Sequence, residues 1–119
     1  FKLYSLGENA VTADFGSEIS LKINEQVIAL DNYLNFHRFP GFIETVPAYA
    51  SLTIFYDVIK VRKSYPEFPT AFAAVKSFFE TALKNAKPSD TKKSRLVEIP
   101  VCFSDEFAPD LEFICNTKN

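Results

Sequence analysis

The chain has 119 residues, of which 47% are hydrophobic, and its formal net charge at pH 7 is −2. This length and composition predict one globular domain that buries a core without disulfide staples, and they argue against a disordered chain. The absence of a basic excess argues against a nucleic-acid partner, and no apolar run approaches the roughly 20 residues of a membrane span. We therefore expect a cytoplasmic protein with no nucleic-acid or membrane partner.

Two strands and a helix are predicted in the first third of the chain. Residues 1–7 (FKLYSLG) favour a short strand, and residues 10–16 (AVTADFG) alternate apolar and polar side chains as a half-buried strand does. Ser20 is the expected N-cap of the helix. The helix has an apolar stripe made of Ile23, Val27, Leu30 and Leu34. Pro40 should end it within residues 35–39, because proline disfavours helical geometry in the residue before it.

A β-hairpin is predicted by residues 40–56 (PGFIETVPAYASLTIFY), in which breakers interrupt a strand-like run. Residues 42–46 and 52–56 are the strands, and the residues between them form the turn. Pro47 fits the end of a strand, since proline donates no ladder hydrogen bond. Tyr49 stands in the turn among small side chains, where it is either an exposed interface anchor or a part of the core.

The middle of the chain predicts a second helix between a connector and a linker. Residues 57–65 (DVIKVRKSY) are the connector. The helix starts within residues 66–70, whose two prolines are tolerated in a first turn. Its apolar stripe is Phe72, Val75, Phe79, Ala82 and Ala86. Pro88 closes the helix, and residues 86–94 form a charged linker.

The end of the chain predicts a strand and the start of a third helix. Residues 95–103 (RLVEIPVCF) are apolar with a proline inside, which is typical of an edge strand. Residues 104–119 turn into a helix with Pro109 as its first residue. Its incipient apolar face, formed by Phe107, Leu111 and Ile114, needs a surface to pack on. Either the helix folds back on the preceding domain or its partner domain lies outside these residues, and we favour the second.

The predicted elements follow the order β-β-α-β-β-α-β. Without the first short strand the order becomes βαββαβ, which is the α+β plan of a ferredoxin-like fold. In that plan two helices cover one face of an antiparallel sheet, and the other face meets water or a partner.

No catalytic constellation is found, so we name no catalytic residue and expect no metal or cofactor in this chain. His37, the only histidine, is expected at a helix end on the surface rather than as a general base. Ser51 lies in no GxSxG elbow, and three isolated glycines cannot build a phosphate cradle for ATP. Cys102 and Cys115 are expected as reduced, small hydrophobic side chains, because their spacing favours neither a disulfide nor zinc.

Three groups of sequence motifs occur in a fixed order along the chain, and together they form one pattern. They are YSLGENAVTADFG with EIS (4–16 and 18–20), PGFIETVPAYASLTIFYD (40–57) and VEIPVCFSDEFAPDLEFI (97–114). This pattern resembles the KipI/PxpB family, which is also labelled allophanate hydrolase subunit 1. Two departures are that Ala50 stands where the family often has arginine, and Phe103 where it usually has tyrosine.

The resemblance implies an N-terminal α+β domain followed by a cyclophilin-like β-barrel domain. Residues 1–94 would be the first domain, and residues 95–119 the first strand and helix start of the second, which is largely missing. In the hairpin the resemblance implies an interface or pocket-rim role for Glu44, Pro47, Tyr49 and Ser51. The motif that opens the second domain is matched by Pro100, Glu106, Pro109 and Asp110.

Two functions are implied by the resemblance. The first is the B subunit, non-catalytic alone, of a bacterial ATP-dependent 5-oxoprolinase, which converts 5-oxoproline to glutamate. Such a protein assembles with a homologous C subunit and a separate A subunit, and the assembled complex uses ATP. The alternative is an inhibitor that binds a sensor histidine kinase and blocks its autophosphorylation. We favour the enzyme component, because that role is broadly distributed in the family.

Overall fold

Four strands and four helices form the described part of the chain, which in this computed structural model comprises residues 1–88, 96–104 and 106–117. The strands are β1 (Lys2–Ser5), β2 (Ala10–Asp14), β3 (Phe42–Pro47) and β4 (Ser51–Tyr56). The helices are α1 (Leu21–Phe36), α2 (Val58–Ser64), α3 (Ala71–Asn85) and α4 (Leu111–Thr117).

The four strands pair in one antiparallel sheet with the order β1-β2-β4-β3. The predicted hairpin is confirmed as β3 and β4, which pair with a register irregularity between Phe42 and Glu44. β2 and β4 lie in the centre of the sheet, and β1 and β3 form its two edges.

The strand predicted for residues 95–103 is wrong, because the described residues 96–103 form no strand. In a βαββαβ plan the last strand pairs beside the first, which in this chain is β2. β1 occupies that place and pairs with β2 along its whole length. The segment that the prediction set aside therefore supplies the fourth strand of the sheet.

The core lies between α1, α3 and one face of the sheet, which we call the inner face. Because side chains alternate along a strand, one face of β2 and β4 carries Val11, Ala13, Leu52, Ile54 and Tyr56. The helices add Val27, Leu30 and Leu34 from α1, and Ala71, Ala74, Val75, Phe79 and Ala82 from α3. The two predicted stripes thus meet the same face of the sheet.

The opposite face of the sheet, which we call the outer face, carries larger side chains that remain accessible. Tyr4 and Val46 are 45% and 47% exposed. Thr12 and Thr53 are register partners in its centre, and their hydroxyls hydrogen-bond at 2.9 Å. Thr12 is only 5% exposed and Ala10 is fully buried, so the accessible centre of the outer face consists of Tyr4, Val46 and the half-buried Thr53.

Helix α1 has the ends that its sequence predicts. Ser20 is its N-cap and Phe36 its last residue. His37 is the C-cap, and its backbone N–H donates to Tyr33 O at 2.9 Å. Of the predicted stripe, three side chains are buried and Ile23 is half-buried.

Helix α3 begins later than predicted. Its first residue is Ala71, so Pro66 and Pro69 precede the helix instead of lying in its first turn. Thr70 is the N-cap, and its hydroxyl accepts a hydrogen bond from Ala73 N–H at 3.0 Å. This bond satisfies one of the N–H groups that a first turn leaves without an intrahelical partner.

The predicted connector of residues 57–65 is wrong, because most of it is helix α2. Asp57 starts the helix, and its carboxylate accepts a hydrogen bond from Lys60 N–H at 2.9 Å. Val61 is fully buried in the core cluster. The Asp57 cap and the buried Val61 side chain thus stabilise a helix of only seven residues.

Gly41 joins the base of the hairpin to α2. Its φ is +92°, and a Cβ at this position would lie 2.8 Å from Val61 Cγ2. Its carbonyl accepts a hydrogen bond from Asp57 N–H at 2.8 Å. Glycine therefore permits both the backbone conformation and the close approach.

Residues 96–117 contrast with the rest, since all of the described residues there are exposed except the half-buried Ala108. Helix α4 begins at Leu111, so the prediction that Pro109 starts it is wrong. Leu111 N–H donates to Ala108 O at 3.1 Å, which places Pro109 in a turn before the helix. No residue of α4 is buried.

Candidate interaction surface

The tip of the hairpin, residues 47–51, is the part of the predicted site with the most defined geometry. Three hydrogen bonds hold its backbone: Ala48 N–H donates to Ser51 O (2.8 Å), Phe15 N–H to Ala50 O (2.9 Å), and Asn24 Nδ2 to Tyr49 O (3.1 Å). The bonds come from the tip itself, from the end of β2 and from α1. The tip is therefore fixed by two other elements of the fold.

Tyr49 extends from this fixed backbone with 43% of its surface exposed. The sequence left open whether this residue anchors an interface or belongs to the core, and the core cluster does not include it. An aromatic side chain on a rigid, exposed loop can contact a partner with little loss of conformational entropy.

Two exposed apolar residues of α1 flank the tip. Leu21 and Ile28 lie three residues before and four residues after Asn24, so all three share one side of the helix. Because Asn24 bonds the carbonyl of Tyr49, this side of α1 lies beside the tip. Leu21, Asn24 and Ile28 were not predicted from the sequence, since a contact between residues 25 positions apart has no local signal.

The structure brings three of the four predicted hairpin residues together. Pro47 ends β3, Ser51 begins β4, and Tyr49 lies between them. Glu44 is placed elsewhere, on the outer face opposite Phe55. Glu44 thus belongs to the sheet surface and not to the tip.

The residues matched to the motif that opens the second domain lie outside the hairpin, near the end of the chain. They are Pro100, Glu106, Pro109 and Asp110, and all are exposed in the segment of residues 96–117. Asp110 O accepts a hydrogen bond from Ile114 N–H at 3.0 Å, which belongs to the first turn of α4. Their assigned role stays a prediction.

Two polar side chains at the end of α1, Asn35 and His37, are engaged within the fold. His37 stacks on Tyr33 with ring centroids 4.1 Å apart, and its Nδ1 lies 3.0 Å from Tyr33 O. Asn35 Nδ2 donates to Asp31 Oδ1 at 3.1 Å and to Thr45 Oγ1 at 2.7 Å, which ties α1 to β3. Among the described residues no three His, Cys, Asp or Glu side chains lie close enough to hold a metal ion.

The two cysteines are free and exposed. The expectation that they pack as small hydrophobic side chains is therefore wrong for the described structure. Cys102 Sγ lies 3.3 Å from Ser104 Oγ, and hydrogen bonds from Ser104 lower the pKa of the Cys102 thiol. Tyr56 is the opposite case: burial raises the pKa of its phenol, which donates to Glu8 O at 3.1 Å.

No helix in the described ranges is long and apolar enough to span a membrane.

A shallow groove of about 420 Å³ lies between α1, the end of α3 and the start of the chain. Its lining residues include the apolar Phe1, Phe15, Ile23, Leu30 and Leu83 and the polar Gln26. It holds no pair of groups suited to acid–base or nucleophilic chemistry.

Comparison with known proteins finds relatives of the same kind as the motifs indicated. The chain is 41% identical over 113 residues, or 94% of its length, to the B subunit of 5-oxoprolinase from Bacillus subtilis (strain 168). It covers 47% of that protein, so it spans about half the length of this curated relative.

Two solved structures share the fold, and each is more than 30% identical in sequence to this chain. The N-terminal domain of the histidine kinase inhibitor KipI from Bacillus subtilis is 38% identical with a TM-score of 0.62, and the match covers 71% of this chain and 85% of that domain. The protein PH0987 from Pyrococcus horikoshii is 32% identical with a TM-score of 0.58, over 98% of this chain and 49% of that one.

The family assignment covers the entire sequence. Residues 1–119 match the family described as carboxyltransferase domain, subdomain C and D. The motifs, the relative and the two structures agree with this match. The chain belongs to the carboxyltransferase domain, subdomain C and D, family, with the 5-oxoprolinase B subunit and the KipI N-terminal domain among its relatives.

Proposed function

We propose that this chain is the N-terminal part of the B subunit of an ATP-dependent 5-oxoprolinase. The observation that carries the proposal is the 41% identity to a 5-oxoprolinase B subunit over 94% of the chain. Identity at this level over nearly the whole chain goes beyond what a common fold alone would require. The reaction is the opening of 5-oxoproline to glutamate, and it takes place in the cytoplasm.

The chain contributes a binding surface and no catalytic group of its own. The tip of the hairpin supports this role, because its backbone is held by α1 and β2 while Tyr49 remains exposed. Leu21 and Ile28 extend the surface along α1. The partner at this surface is a homologous C subunit, a separate A subunit joins them, and ATP is used by the assembled complex.

Residues 1–94 are proposed as the first domain and residues 95–119 as the start of a second, cyclophilin-like domain. The contrast in burial supports this boundary, since the core cluster lies wholly within residues 11–82 while the described residues 96–117 are almost all exposed. The ferredoxin-like description stays a proposal for the first domain, with β1 in the place of the last strand.

Reconstitution tests the proposed function. The full gene product is mixed with purified C and A subunits, and glutamate formed from 5-oxoproline is measured with and without ATP. We expect glutamate only when all three proteins and ATP are present. Omission of each protein in turn is the control, and glutamate formation without this protein at the same rate contradicts the proposal.

Inhibition of a sensor histidine kinase is the second candidate function. The observation that favours it is the 38% identity to the N-terminal domain of a histidine kinase inhibitor, with a TM-score of 0.62. Autophosphorylation of a purified kinase, measured with and without equimolar full gene product, tests it. A slowed autophosphorylation together with no reconstitution of 5-oxoprolinase would establish this function in place of the first.

A further inference from the structure

We propose that the outer face of the sheet is an interface through which two copies of this chain associate face to face about a two-fold axis. The occupant of the face is thus a second copy, and what supports it is the self-complementary arrangement of charge around an apolar and hydroxyl centre. This inference is independent of the proposed enzyme.

The strand register arranges the outer face in three rows. The first is Lys2, Asp14 and Ser51; the second is Tyr4, Thr12, Thr53 and Val46; the third is Ala10, Phe55 and Glu44. In the second row the exposed Tyr4 and Val46 flank two threonine hydroxyls that already bond each other at 2.9 Å. This bond pairs one of the two O–H donors, and the other O–H needs an acceptor when the centre loses water.

Opposite charges occupy opposite corners of this face. Lys2 lies on the β1 edge in the first row, and Glu44 lies on the β3 edge in the third row. Three strand spacings separate the corners across the sheet, and four residues separate them along it. Both separations are about 14 Å, given about 4.8 Å between strands and about 3.4 Å per residue.

Equal separations define one symmetric arrangement. A two-fold axis in the plane of the face, at about 45° to the strands, exchanges the Lys2 and Glu44 corners. Each Lys2 then faces Glu44 of the other copy, and the strands of the two sheets cross at about 90°, which is an orthogonal sheet packing.

The same axis decides which apolar residues meet. Tyr4 of each copy lies over the third row of the other, where Phe55 is half-buried and Ala10 is already buried within its own chain. Val46 of each copy lies over the first row of the other, beside Asp14. The half-buried Thr53 of each copy lies near the centre, beside Thr12, which is only 5% exposed.

The two corner charges are available for this contact. Neither Lys2 nor Glu44 forms an ion pair with another described residue. Asp14 is the register partner of Lys2, and its carboxylate accepts a hydrogen bond from Gly16 N–H at 2.8 Å.

Sedimentation equilibrium of the full chain over a range of concentrations tests the proposal. We expect a reversible monomer–dimer equilibrium that Val46→Glu shifts to monomer, because the new carboxylate would lie in the interface beside Asp14 of the other copy. Ile59→Glu is the matched control, since Ile59 is an exposed aliphatic residue on α2 that does not belong to the outer face. Circular dichroism melting verifies that both variants fold.

A charge exchange tests the symmetry. Lys2→Glu should raise the dimer dissociation constant about tenfold, because the change acts at both corners of a two-fold dimer. The double variant Lys2→Glu with Glu44→Lys should return it to within about threefold of the original value. A chain that is monomeric at every concentration, a dimer that survives Val46→Glu, or a double variant as weak as the single one would overturn the proposal.

Discussion

Residues 1–88 and residues 96–117 are both rich in large apolar side chains, but only the first region buries them. Phe79 is fully buried on α3, whereas Phe113 on α4 is 71% exposed. The apolar stripe of α3 packs on the inner face of the sheet, where every second side chain of a strand is apolar. Helix α4 packs on no such surface among the described residues. Apolar content becomes a core only where two periodic surfaces face each other.

A pair of identical substitutions gives the largest test of this difference. Phe79→Ala removes a side chain from the centre of the core and should lower the free energy of unfolding by about 3–5 kcal/mol. Phe113→Ala, the matched control in the exposed region, should change it by less than about 0.5 kcal/mol. Urea denaturation followed by circular dichroism measures both, and equal losses would show that α4 shares the core.

A glycine substitution tests how closely the first region is packed. Gly41→Ala should lower the free energy of unfolding by about 2–3 kcal/mol, because the methyl group meets Val61 and the φ of +92° disfavours a side chain. Gly7→Ala is the control, with a φ of +71° but open space around it, and should lose about 1 kcal/mol. If the Gly7 variant lost as much, the close approach to α2 would not matter.

The buried phenol of Tyr56 predicts a smaller, pH-dependent effect within the same region. Burial raises its pKa, so its contribution to stability is complete below about pH 10, where an ordinary tyrosine is neutral. Above that pH the unfolded chain releases the proton first, and the free energy of unfolding falls. We expect a shallower fall in Tyr56→Phe, measured by urea denaturation from about pH 8 to about pH 11, and parallel curves would contradict the assignment.

The smallest effect on stability is expected at the hairpin tip. Tyr49→Ala should change the free energy of unfolding by less than about 0.5 kcal/mol, because the side chain lies outside the core cluster. Binding to the proposed C subunit, measured by calorimetry with the full gene product, should weaken at least about tenfold. Ile59→Ala serves as the control for an exposed apolar residue away from the tip. A stability loss of about 3 kcal/mol would place Tyr49 in the core instead.

The elements that the sequence predicted correctly are those whose patterns are local. Val27, Leu30 and Leu34 repeat at helical spacing, and they are buried together in α1. The breakers at 40–41 and 47 mark the ends of β3, so the hairpin follows from chain-local chemistry. The short α2 also has a local signal, because Asp57 stands three residues before Lys60, whose N–H it caps.

The incorrect strand shows where local patterns stop being sufficient. Val97, Ile99, Val101 and Phe103 alternate as a strand requires, yet no described strand pairs with them. Pairing depends on which edge is open, and β1 occupies the edge beside β2. The prediction of the hairpin site has the same limit. Motifs identify its residues, but the hydrogen bond from Asn24 that fixes the tip is a tertiary contact with no local signal.

The three bonds that hold the hairpin tip have a consequence for the kinetics of recognition. A loop whose backbone is already tied to α1 and β2 has no slow rearrangement to complete after it meets another molecule. Its encounter with a binding protein would then follow a single exponential in stopped-flow fluorescence, with an observed rate that increases linearly with concentration. Asn24→Ala would remove the hydrogen bond to Tyr49 O. We then expect an additional phase whose rate does not depend on concentration, because the loop must reach its bound conformation after the encounter.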